Sequence, residues 1–72
     1  MNEIFRLLEK AINNLKDKFI ILEEFWYLIR YKNICLDNNI NNIEILKKLI
    51  FILEDKGKIY INENEEIFLI EN

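Results

Sequence analysis

The chain has 72 residues, 51% of them apolar, with ten Lys and Arg against thirteen Asp and Glu and a net charge of −3. It holds no His, Ser, Thr, Gln, Val or Pro, a single glycine (Gly57) and a single cysteine (Cys35). These absences exclude a serine or threonine nucleophile, an imidazole base and so triad chemistry, and one cysteine supplies neither an internal disulfide nor the ligand set of a structural zinc.

Ile4, Leu7, Leu8, Ala11, Ile12 and Leu15 recur at intervals of three and four opposite Glu3, Glu9, Lys10, Asn13 and Asn14, which predicts an amphipathic helix from Asn2 to Leu15. Phe19 to Leu22 is an Ile-rich run that reads either as a brief strand or as the first turn of the next helix. Leu22, Phe25, Trp26 and Ile29 then return to helical spacing, and the pattern fades at Lys32 and Asn33. Asn33 to Asn42 is aperiodic and rich in Asn and Asp, whose side chains favour turns and caps, so it reads as a connector. Asn41 or Asn42 suits the N-cap of a third helix, with Glu44 in the first turn where the dipole favours an anion. That helix runs to about Lys56, and Gly57 stands where a left-handed C′ residue would end it. Lys58 to Asn62 alternates around Ile59 and Ile61, Ile67 to Ile70 is a second β-type run, and the polar Glu63 to Glu66 joins them as a hairpin. No linker or repeat interrupts this order, so residues 1–72 read as one domain.

Three helices followed by a hairpin, over essentially the whole chain, resemble a winged-helix domain. The stretch Ile45, Leu46, Leu49, Ile50, Leu53, then Lys56, Gly57, Lys58, Ile59, Tyr60, Ile61, and finally Ile67, Phe68, Leu69 is the most specific part. It is similar to the recognition helix and wing of that superfamily. The resemblance implies an α+β fold, a three-helix winged-helix-like domain with a C-terminal β-hairpin wing. It also implies a choice, because winged helices divide between readers of duplex DNA and adaptors that bind proteins.

In a DNA-reading member the third helix enters the major groove and the wing touches the backbone, so both should present donors and positive charge. On a wheel of about 100° per residue, Ile43, Ile45, Leu46, Leu49, Ile50, Ile52 and Leu53 fill the core side. Glu44, Lys47, Lys48, Phe51, Glu54 and Asp55 fill the other. The exposed arc therefore carries more carboxylates than lysines, and the wing adds Glu63, Glu65 and Glu66 with no Lys or Arg. Carboxylates at both phosphate-facing elements repel a duplex. The charge pattern is thus closer to the protein-binding adaptors than to the DNA readers.

Phe51 lies in the middle of that charged arc, and on the second helix Tyr27, Leu28 and Tyr31 lie away from Leu22, Phe25, Trp26 and Ile29. Aromatic residues left on a surface are the usual anchors of protein contacts. The expected function is a non-enzymatic protein–protein interaction or assembly module, with Tyr27, Leu28, Tyr31 and Phe51 as contact residues and a protein partner or self-association as the binding event. The alternative is a small DNA-binding transcriptional regulator using Asn41, Asn42, Lys47 and Lys48.

Other chemistry fails on spacing. Asp37, Asn39 and Asn41 match the start of a calcium loop, but Asn42 and Lys48 stand where Gly and Glu are required. Glu23 and Glu24 diverge by about 100° on a helix, which suits no acid–base pair. Cys35, between Ile34 and Leu36, reads as a small buried hydrophobe. No metal or cofactor is expected. The longest unbroken apolar runs, Phe25 to Ile29 and Leu49 to Leu53, are far too short to span a bilayer, and Met1 to Lys10 shows no basic and then apolar leader pattern. An intracellular protein, cytoplasmic or located in the nucleus or nucleoid, with no membrane contact is the expectation.

Overall fold

The computed structural model describes residues 2–34 and 39–70. Within them, α1 is Asn2–Asn13, β1 is Phe19–Ile21, α2 is Leu22–Tyr31, α3 is Ile43–Asp55, β2 is Ile59–Ile61 and β3 is Glu66–Leu69. The three strands form one antiparallel sheet in the order β1-β3-β2. β3 is central: Ile67 lies opposite Ile20 on one side and Ile61 on the other, and Phe68 opposite Phe19 and Tyr60. Among the described residues this is an α+β, winged-helix-like layout, with the helices α1, α2 and α3, a hairpin wing behind them and the short first strand closing the sheet.

Both alternatives for Phe19 to Leu22 hold in part, since three residues extend as a strand and the helix begins on the fourth. The sequence places no capping side chain at Ile21. Instead the Leu22 N–H donates to the Glu65 carbonyl at 2.9 Å, so the wing satisfies one of the four donors that a helix start leaves open. At the start of α3, Asn42 is the cap: its Oδ1 accepts the Ile45 N–H at 3.0 Å. Its end follows the glycine signal, with Gly57 at φ +75 and its N–H donating to the Glu54 carbonyl. α1 stops two residues short of Leu15, where the chain turns through Asn14 and Leu15.

Leu8, Ile12, Phe25, Ile29, Leu46, Ile50, Leu53, Ile59 and Ile67 are fully buried, and no polar or charged side chain is buried among the described residues. Every helix and every strand contributes, so the core is one continuous apolar cluster on one face of the sheet. At roughly 0.05 to 0.15 kcal/mol per residue, a chain of this length has about 4 to 11 kcal/mol in hand, so each of these side chains is a large share of the whole.

Two assignments from the helix wheels are corrected. Ile52, expected on the core side of α3, is exposed, because it lies about 120° from Leu46 at 100° per residue and Leu46, Ile50 and Leu53 already fill the interior. Leu28, expected on the outer face of α2, is half-buried and packs against the core, being only about 60° from Phe25. Cys35, Leu36, Asp37 and Asn38 lie outside the described residues.

Candidate contact surfaces

Since Leu22, Phe25 and Ile29 turn inward on α2, Tyr27 and Tyr31 are carried outward one turn apart. They are 60% and 86% exposed. Beside them Trp26 is half-buried, with the Arg30 guanidinium 5.7 Å from its ring centroid, an arrangement that covers part of the indole by cation–π attraction. Of the four contact residues expected from sequence, Tyr27 and Tyr31 share this face, and Leu28 is largely withdrawn from it.

Phe51 lies on α3, one turn after Lys47, and is 45% exposed. The Lys47 ammonium lies 6.0 Å from the Phe51 ring centroid and 2.8 Å from Glu65 Oε2. Its pKa is raised above the ordinary lysine value, first by the hydrogen bond to Glu65, then by that carboxylate's charge; Glu44 adds to this and partial desolvation opposes it. Lys47 is thus turned toward the wing. Of the other residues assigned to nucleic acid, Asn42 has its carbonyl oxygen engaged as the helix cap, while Asn41 and Lys48 are exposed.

The wing itself is a built turn. Asn62 Oδ1 accepts the N–H groups of Asn64 and Glu66, both at 3.0 Å, and its Nδ2 donates to Glu66 Oε1 at 2.7 Å. Glu65 has φ +62, a left-handed conformation that disfavours a residue with a Cβ. Glu54 Oε2 on α3 accepts the Ile61 N–H at 3.0 Å, so α3 caps an outward donor of β2 that would otherwise be an open edge. The wing's Glu65 and Glu66 are therefore half-buried and engaged. Between α3 and the wing lies a shallow cleft of about 420 Å³ lined by Lys47, Phe51, Ile61 and Asn62 to Glu65.

A third surface was missed from sequence. On the sheet face away from the helices, Phe19, Phe68 and Tyr60 stand side by side across the three strands, with ring centroids 4.9 Å apart for Phe19 and Phe68 and 6.1 Å for Phe68 and Tyr60. Tyr60 is 52% and Phe68 37% exposed, with Ile21 and Ile70 exposed beside them. The signal was present as strict alternation: once Ile20, Ile67, Ile59 and Ile61 face inward, period two sends Phe19, Phe68 and Tyr60 outward.

Among the described residues no group of three His, Cys, Asp or Glu side chains comes together to hold a metal ion, and no helix is long and apolar enough to cross a membrane. The surfaces carry exposed rings flanked by charged side chains. The fold is α+β, and its helices and hairpin have a winged-helix-like layout. No protein-family profile, curated protein or solved structure matches the chain.

Proposed function

We propose that this chain is a winged-helix protein-interaction or assembly module, non-enzymatic and intracellular, in which the α2 face bearing Tyr27 and Tyr31 and the α3 face bearing Phe51 contact a protein partner. The observation that carries this reading is the Lys47–Glu65 pair. In a reader of duplex DNA the exposed face of α3 and the wing both approach phosphates and need free cations. Here the lysine nearest the wing is already bound to a wing carboxylate, and Glu63 stands exposed beside it. The same face keeps a half-exposed phenylalanine, a residue type that interfaces use as an anchor.

The test compares retention on duplex DNA at about 50 mM salt, where phosphate contacts are strong, with capture of protein partners by the wild type and by Phe51→Glu. An adaptor flows through the DNA column and loses a partner on substitution. Tight duplex binding with a steep salt dependence supports the alternative, a small transcriptional regulator acting through Asn41, Asn42, Lys47 and Lys48.

A further inference from the structure

We propose that the outer face of the sheet is a self-association surface, and that two copies of this chain pack there face to face about a twofold axis running across the strands along the Phe19, Phe68 and Tyr60 row. The proposal stands on a surface separate from the Tyr27–Tyr31 face of α2 and the Phe51 face of α3, and names its occupant, a second copy of this chain, from the charge at the two ends of the sheet on either side of that row.

The antiparallel order fixes those ends. The amino ends of β1 and β2 lie at one end of the sheet, approached by Lys16 and Lys18 on one side and Lys58 on the other, with Asp17 among them. At the opposite end β1 runs into Glu23 and Glu24 at the start of α2, and the wing brings Glu63 and Glu66. The sheet is basic at one end, acidic at the other, and aromatic between. A twofold axis along the aromatic row reverses the strand direction of the second copy. It sets ring against ring in the middle and places each basic end over the partner's acidic end, twice.

Such an interface is isologous, the self-complementary form that closes at two subunits. It covers the exposed rings with the packing that two sheets use face to face. The alternative twofold, parallel to the strands, would lay basic on basic and acidic on acidic. The charge pattern therefore selects one orientation of the pair. It also makes the association sensitive to salt, because the charges at its rim are exposed and screened.

Analytical ultracentrifugation of the full chain over a concentration series tests this. The wild type is expected to reach dimer, with a midpoint that rises with salt. Phe68→Glu and Tyr60→Glu, each checked for retained helix content by circular dichroism, should each shift the midpoint at least tenfold, the effect of losing one central anchor. Phe51→Glu and Tyr27→Glu should leave it unchanged. The orientation is tested by charge reversal. Lys16→Glu with Lys58→Glu makes both ends acidic, and Glu23→Lys, Glu24→Lys and Glu63→Lys together make both basic. Each variant alone should be monomeric, and an equimolar mixture should form the heterodimer.

A wild type still monomeric at about 1 mM, a concentration that populates even very weak complexes, would overturn the proposal. So would self-association abolished by Phe51→Glu or Tyr27→Glu and untouched at Phe68; that result would leave the α2 and α3 contact reading standing. Reversed variants that fail to pair in mixture while the wild type dimerises through Phe68 would overturn the charge-selected orientation.

Discussion

The Glu65 carboxylate reaches the Lys47 ammonium at 2.8 Å, tying the left-handed residue of the wing turn to the exposed face of α3. The backbone of the same Glu65 accepts the first N–H of α2. One residue thus joins the wing to both helices, so this wing is a fixed part of the domain. Its side chain and its backbone can be separated by substitution. Glu65→Ala and Glu65→Gly both lose the ion pair, and only glycine relieves φ +62. Glu65→Gly should therefore be the more stable of the two by about 1 kcal/mol, read as the difference in urea unfolding free energies. Equal stabilities would mean that residue 65 is not held left-handed in solution.

The Lys47 side of this pair has a defined pH dependence. Its folded pKa is raised, so the stability it contributes is fully present below the unfolded lysine value near 10.4 and is lost as pH rises through the higher folded value. Unfolding curves of the wild type and Lys47→Met should keep a constant separation from about pH 6 to 9 and converge only in strong alkali. Convergence near neutrality would show that Lys47 is not paired as described.

Asn41 and Asn42 are adjacent and chemically identical, yet only Asn42 caps α3. Asn42→Ala should lose about 1 kcal/mol of stability, and Asn41→Ala should change little. Thermal or urea unfolding of the two single variants decides this, and equal losses would contradict the cap assignment.

Phe25 and Ile50 are fully buried at the meeting of α2, α3 and the sheet. Ile50→Ala should cost about 2 to 5 kcal/mol and Phe25→Ala about 3 to 5 kcal/mol. Against about 4 to 11 kcal/mol in total, either variant should melt well below the wild type, as circular dichroism would record. Cooperative melting of both at the wild-type temperature would mean that the core is not packed as one unit.

Helix and hairpin positions were legible because they rest on local signals: three-and-four spacing in α1 and α3, the Asn42 cap, and Gly57 at the end of α3. The strand β1 was legible only as an alternative, since a three-residue strand has too short a period to separate from a helix start, and its partner Phe68 is some fifty residues away. Tyr27, Tyr31 and Phe51 were readable as exposed because each sits well away from its helix's inward residues. Ile52 and Leu28 lie at the margins of their wheels, where packing rather than periodicity decides. The Lys47–Glu65 pair could not be seen in advance, because it depends on wing geometry that brings distant residues together. Alternation marked Phe19, Phe68 and Tyr60 as outward, but their alignment into one row depends on strand register between distant residues.

The central claim, that the α2 and α3 surface binds protein and not DNA, is tested most directly by affinity capture from the native host. Tagged wild type, Phe51→Glu and Tyr27→Glu are compared with and without nuclease. The account predicts at least one protein held by the wild type regardless of nuclease and depleted about tenfold or more by either substitution, as expected when an interface anchor is lost. An identical set of proteins captured by all three, or capture that disappears with nuclease, would contradict it.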